Sequence, residues 1–245
     1  MKTVRLSVIV LFFVLISCET TYYQIYEAKS LENVSQDQDG FVFEDENCII
    51  HYDLWSEGGD AGFSIYNKTD QTLYLDKFNT HFVINGVAKD YYLDRVFTNN
   101  ETVAINSLFY NISNESSVST SYKEKSIIAV PSKTRRKISE YNINNLFFRE
   151  CELEKYPSSR KVRTESYTEK NTPFTFENRI SYFFDKDGDF QEIKNSFFVS
   201  SVTNYPSKDI ISNEQMEECG EAQFGTVEVN TKQSPHKFYV TYTKK

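Results

Sequence analysis

The chain of 245 residues is poor in the residue types on which most protein chemistry depends. It has 3 His, 4 Cys, 2 Met and 1 Trp, with only 8 Gly and 5 Pro. Histidines at 51, 81 and 236 leave little material for a His-based metal centre or proton relay. The scarcity of Gly and Pro excludes a collagen-like or flexible low-complexity chain. Basic residues are outnumbered, 27 Lys+Arg against 35 Asp+Glu, for a net charge of −8. Affinity for nucleic-acid phosphates comes from clustered Lys and Arg, so this balance argues against nucleic acid as a partner. There is no G-x-S-x-G elbow, no phosphate-cradling Gly loop and no H-E-x-x-H, and no cofactor is expected. What the chain has in quantity is aromatic side chains: 20 Phe and 17 Tyr, with Phe, Tyr and Trp together at 16%. Such a composition can bury a core and is not that of a disordered segment.

The longest apolar run stands at the start. Lys2 and Arg5 flank a basic beginning, and residues 6–16 are almost unbroken in their apolar character. A bilayer-spanning helix needs about 20 apolar residues, so the run is too short to span and fits a secretory signal peptide. It ends in Leu15-Ile16-Ser17-Cys18. This resembles the lipobox of bacterial lipoproteins, in which a Leu and a small residue precede the cysteine that becomes residue one. The resemblance implies a signal peptide at 1–17 and lipid attachment at Cys18. The alternative is an ordinary signal peptide with a chance cysteine. One acyl chain binds a membrane only marginally, whereas the several chains on a lipoprotein cysteine make a lasting anchor. The expected location is the cell envelope, at the outer membrane, with the periplasmic and surface faces both open. Without residues 1–17 the chain keeps 228 of its 245 residues and loses two basic and no acidic ones. Its balance becomes 25 against 35, a net charge of −10.

Beyond Cys18 three cysteines remain, Cys48, Cys151 and Cys219, so at most one internal disulfide can form. Their wide spacing disfavours zinc, and no metal site is expected. Cys48 lies in an alternating apolar run and reads as a buried thiol. Cys151 and Cys219 each sit among glutamates, which disfavours a reactive thiolate. A Cys151–Cys219 bridge is open to them in an oxidising compartment.

Period-two alternation dominates the rest. Cys48, Ile50, Tyr52 and Leu54 fall on one face of a strand; His51, Asp53 and Trp55 fall on the other. Further strands are expected at 22–26, 41–43, 127–130, 146–148, 174–176, 197–202 and 238–242. Phe63 and Ile65 with Leu73 and Leu75 flank Asn67-Lys68-Thr69-Asp70, which reads as a hairpin. Asn85-Gly86 between apolar runs is a stronger hairpin signal, because both residues tolerate positive φ. A third hairpin turns at 185–189. Its Asp185-x-Asp187-Gly188-Asp189 has the wrong Gly position and strand flanks for a calcium loop. One short helix is expected at 213–219, capped by Ser212 with Gln215 three residues on and stopped by Gly220. The polar stretch 99–126 reads as a long loop or a domain boundary.

Frequent short strands with turn signals indicate an all-β antiparallel sandwich with at most one or two short helices. Phe63-Ser-Ile-Tyr-Asn67-Lys-Thr, followed by Ile127-Ile-Ala-Val-Pro131, resembles immunoglobulin-like extracytoplasmic domains, a likeness of fold that implies no activity. The expected organisation is 18–40 as the lipidated cysteine with a short N-terminal segment and 41–245 as the sandwich domain, with 99–126 as the one place for a subdivision. The lipobox, the run Phe41-Val-Phe-Glu-Asp-Glu-Asn-Cys-Ile-Ile-His-Tyr-Asp-Leu-Trp-Ser, Phe82-Val-Ile-Asn-Gly86, Lys155-Tyr-Pro157 and Asn204-Tyr-Pro206 together resemble a family of uncharacterised lipoproteins from Bacteroides-type gut bacteria. That resemblance implies location and a β-rich fold only.

Two constellations could meet a ligand. His51, Asp53 and Trp55 share a strand face: on a groove, Trp55 would stack on a sugar ring and Asp53 accept its hydroxyls, whereas between sheets Trp55 is core. Thr134-Arg135-Arg136-Lys137 is the one basic cluster. It could touch anionic lipid, or it could be the charged guard of an edge strand. The expected function is a non-enzymatic envelope module that binds or scaffolds a protein or glycan partner. The alternative is an envelope-polymer hydrolase using paired carboxylates.

Overall fold

A computed structural model describes residues 19–31, 33–106, 113–185, 188–218 and 221–244. In chain order its strands are β1 (Thr20–Ser30), β2 (Ser35–Gln36), β3 (Phe41–Glu44), β4 (Cys48–Tyr52), β5 (Phe63–Asn67), β6 (Leu73–Asp76), β7 (His81–Ile84), β8 (Val87–Asp90), β9 (Val96–Asn106), β10 (Ser113–Lys123), β11 (Ile127–Val130), β12 (Arg135–Ile138), β13 (Thr164–Ser166), β14 (Thr175–Phe183), β15 (Gln191–Pro206), β16 (Ile211–Glu218), β17 (Glu221–Asn230) and β18 (Lys237–Lys244). Two 3₁₀ turns, Ser159–Lys161 and Ser207–Asp209, are the helical elements among the described residues. The protein is all-β, as the alternation predicts.

A nine-stranded antiparallel sheet runs β11-β6-β14-β15-β1-β18, with β7, β8 and β13 attached at its side. A five-stranded sheet runs β12-β5-β4-β3-β2. The two pack as a sandwich, and aromatic side chains carry the contact. Phe197 of β15 lies 5.1 Å from Phe41 of β3 and 5.0 Å from Tyr52 of β4, ring centre to ring centre. Tyr26 stacks on Phe238 at 4.6 Å. Burying each such ring contributes about 1.5–3 kcal/mol. The buried hydroxyls find partners: Tyr52 Oη donates across the interface to Asn195 at 2.8 Å, and Tyr91 Oη, just beyond β8, to Asn178 of β14 at 2.8 Å. These bonds remove the penalty that unpaired polar atoms would impose there.

Several local expectations hold. Cys48, Ile50, Tyr52 and Leu54 are all buried. Asn85 and Gly86 adopt φ of 47° and 80° and join β7 to β8, as a primed two-residue turn requires. β14 and β15 form the third hairpin, with positions 186 and 187 of its turn lying outside the described residues.

Four expectations fail. Residues 63–67 and 73–76 are not a hairpin: Ile65 pairs with Ile50 in one sheet, and Leu75 with Ile128 and Tyr182 in the other. The chain crosses between layers around Asn67. Its buried amide donates to Gln71 O at 2.7 Å and Val130 O at 2.9 Å, and its oxygen accepts from the Thr69 N–H and hydroxyl. Alternation reported which face is buried, and was silent on the neighbour. Residues 212–218 are strand, not helix, because a ladder with β17 outweighs one local capping box; Cys219 and Gly220 lie outside the described residues. Within 99–126, residues 99–106 and 113–123 are strand rather than loop, with 107–112 outside the described residues. They supply a two-stranded ribbon in which β9 and β10 pair from Val96↔Lys123 to Asn106↔Ser113. Residues 146–148 form no strand, because a side chain takes the place of a neighbour. Gln24 accepts from Phe148 N at 2.8 Å and donates to Phe148 O at 2.8 Å.

Candidate functional site

The Thr134–Lys137 cluster lies on β12, the edge of the five-stranded sheet, where its charges oppose further pairing. Alternation along β12 then separates the cations. Arg136 turns into a cleft of about 630 Å³, bounded by Tyr74, Arg95, Phe97, Tyr122, Lys125 and Ile128 among others. The cleft forms where the foot of the β9–β10 ribbon meets β6 and β11.

Glu124 organises this foot. It is buried and accepts from Lys77 Nζ, from Arg95 Nη2 at 3.1 Å, and from the Leu93 and Arg95 backbone N–H groups at 3.2 Å each. Arg95 also grips both oxygens of Glu140, at 2.6 and 2.7 Å. Burial would raise the Glu124 carboxyl, but the hydrogen bonds from Arg95 and Lys77 outweigh it and hold the group down at about 2. The same bonds keep Arg95 protonated. Its guanidinium lies 5.4 Å from the centre of the Phe97 ring, and Phe97 stacks on Tyr122 at 5.2 Å. A cation and two rings are thus piled along one wall. Tyr122 is 54% and Phe97 36% exposed, so the pile faces solvent.

The cleft holds more cations than its own carboxylates absorb. Lys77 and Arg95 serve Glu124 and Glu140, and Lys123 pairs with Asp94 at 2.8 Å. Lys125 and Arg136, both exposed, have no carboxylate partner among the described residues. In a chain with net charge −8, this is a local basic site beside exposed rings. Rings offer stacking to the apolar face of a sugar or base, and the free cations offer charge-assisted bonds to an acid.

No family model, no curated protein and no solved structure matches this chain.

The residues expected to form a sugar site lie away from this cleft. His51, Asp53 and Trp55 do share the outward side of β4 and its extension, and none lines the cleft. His51 Nε2 lies 2.8 Å from the Asp39 carbonyl oxygen. Asp53 is exposed, and its carboxylate accepts the Trp55 N–H at 3.0 Å. Trp55 is half-buried, neither core nor free, packed at 5.0 Å on Tyr239, which packs on Tyr23 at 5.5 Å. Burial, and then the neighbouring phenol and carboxylates, raise the Tyr23 hydroxyl. Cys48 is a buried free thiol, raised by desolvation and by Asp45. Cys151 is exposed and free. Cys18 and Cys219 lie outside the described residues. The basic cluster was the one sequence signal that led to the cleft. Lys77, Arg95, Glu124 and Glu140 stand far apart in sequence, and nothing local marks them as a network.

Proposed function

We propose that this chain is a lipid-anchored protein of the bacterial cell envelope, held at the outer membrane through Cys18, that binds an acidic saccharide in the cleft at the ribbon's foot. The observation that carries the binding reading is the placement of two cations without a carboxylate partner among the described residues, Lys125 and Arg136, beside the exposed Phe97–Tyr122 stack. An acidic sugar offers a carboxylate or sulfate for the cations and an apolar ring face for the aromatics. Binding is preferred over hydrolysis because a glycosidase needs a second, protonatable carboxylate facing the first. Glu124 is the carboxylate that lines the cleft, and it is held ionised by its cationic partners. The lipobox and the likeness to Bacteroides-type lipoproteins support the anchor and the address.

Two measurements test the proposal. Polygalacturonate should bind, and its fully methyl-esterified form should not. The affinity should fall with salt, and by at least about tenfold in a Lys125→Ala/Arg136→Ala variant, the loss of roughly 1.4 kcal/mol. Equal binding of the neutral polymer, or an unaffected variant, sinks the saccharide reading. A labelled fatty acid should be incorporated by the full chain in cells and not by Cys18→Ala.

A further inference from the structure

A second surface has a different character. β1 opens at Thr20, two residues beyond Cys18. Extended chain spans at most about 3.6 Å per residue, so a lipid on Cys18 enters its membrane within about 7 Å of this end of the sandwich. The end of β18 and the end of β15 lie at the same place: Thr20 pairs with Lys244, and Tyr22 with Pro206. Aromatic rings gather there. Tyr242 packs on Tyr22 at 5.6 Å, on Phe147 at 4.5 Å and on Tyr156 at 6.1 Å. Lysines lie over them: Lys155 Nζ is 5.3 Å from the Phe147 ring centre and 5.1 Å from that of Tyr156, and Lys244 Nζ is 5.5 Å from Tyr156. Beside Phe147, Leu146 is 76% exposed, the most of any large hydrophobic residue whose side chain is described. Asn144 donates to Leu146 O at 2.6 Å and accepts from Leu146 N at 3.1 Å, so the loop cannot fold the leucine inward.

We infer that this collar, Leu146, Phe147, Tyr156 and Tyr242 with Lys155 and Lys244, rests in the headgroup layer of the bilayer that holds the anchor. The inference rests on lipidation at Cys18. Aromatic rings with a polar end favour the membrane interface. The lysines, whose ammonium groups lie over these rings, put positive charge beside lipid phosphates. The occupant follows from position: a bilayer lies within reach of this end as soon as Cys18 carries lipid. The collar is then a second attachment, which orients a protein that the lipid alone would leave free to swing.

The test uses the full lipidated chain in vesicles of phosphatidylethanolamine and phosphatidylglycerol. A polarity-sensitive dye is placed by Leu146→Cys, in a Cys151→Ser/Cys219→Ser background, and separately by Lys89→Cys on exposed β8. On reconstitution, the dye at 146 should shift to the blue and be quenched by brominated lipid several-fold more than the dye at 89. Lys155→Glu/Lys244→Glu should reduce both effects at 146. If the chain floats with vesicles but the two dyes behave alike, the collar is wrong and the anchor stands. If the chain does not float at all, the anchor fails and takes the collar with it.

Discussion

The sandwich and the β9–β10 ribbon are built from the same antiparallel ladder, but the inner residues of the sandwich are buried while the described base of the ribbon is open to solvent. Phe197 packs on Phe41, Tyr52 and Phe176, and the inner residues of β1, β4 and β15 are sealed from water. At the described base of the ribbon, Val96 and Tyr122 lie open to solvent at 65% and 54%. The contrast shows that pairing alone sets register, while burial supplies most of the stability. It also shows why the rings at the ribbon's foot stay exposed. Rings that would be consumed in a core stand out beside the cleft, and the Glu124 network fixes them to the sandwich.

The comparison is broken most severely from the sandwich side. Phe197→Ala should cost about 3–5 kcal/mol, because it removes a ring that three others pack against and leaves a cavity. Chemical denaturation should show one cooperative transition shifted to lower denaturant; a shift below about 1 kcal/mol would mean that this ring is not the keystone between the layers.

The junction between the two regions should respond next. Glu124→Gln leaves Lys77 buried without its counter-charge and should cost about 3 kcal/mol, at the lower end for a buried pair because Arg95 keeps Glu140. Its pH signature is specific. The Glu124 carboxyl is depressed from an ordinary 4.5 to about 2. The stability it contributes is therefore complete above about 4.5 and is lost as pH falls toward 2. An acid titration of stability should contain this component in the native protein and lack it in Glu124→Gln. Identical profiles would remove Glu124 from the account.

The smallest effect is expected on the ribbon. Thr98→Ala deletes one exposed hydroxyl contact, Thr98 Oγ1 with Ser121 Oγ at 3.0 Å, and should change global stability by no more than about 0.5 kcal/mol. Amides at the ribbon's base should exchange with solvent faster than those of β1 and β15, since Val96 and Tyr122 there are exposed. Protection of the ribbon equal to the sandwich would erase the distinction.

Much of the fold was legible because burial leaves a period in the sequence. Cys48 to Leu54 declared its inner face residue by residue, and Asn85-Gly86 declared its turn through the φ angles it tolerates. The crossing at Asn67 was not legible, because the partners that decide it, Val130 and Gln71, are backbone carbonyls that any residue could present. The false helix at 213–219 had a sound local cap and lost to a ladder formed at a distance. The false strand at 146–148 had the right composition, and its two hydrogen bonds went to the side chain of Gln24, 124 residues away from Phe148. His51, Asp53 and Trp55 share the face that alternation assigns them, and their neighbours come from tertiary structure: once the chain leaves β4, Trp55 turns toward Tyr239 while His51 stays with Asp39.

By itself, the sequence determined the material: a strand-built aromatic core, the scarcity of histidine and cysteine, an acidic balance, and a start that reads as an export signal. Alternation and turn chemistry act over a few residues, so they can be read from one stretch of chain. Only the tertiary structure decided which strands share a sheet, which cations stay unpaired and which rings remain outside. Those outcomes depend on contacts between residues far apart in sequence, where pairing with one partner excludes another.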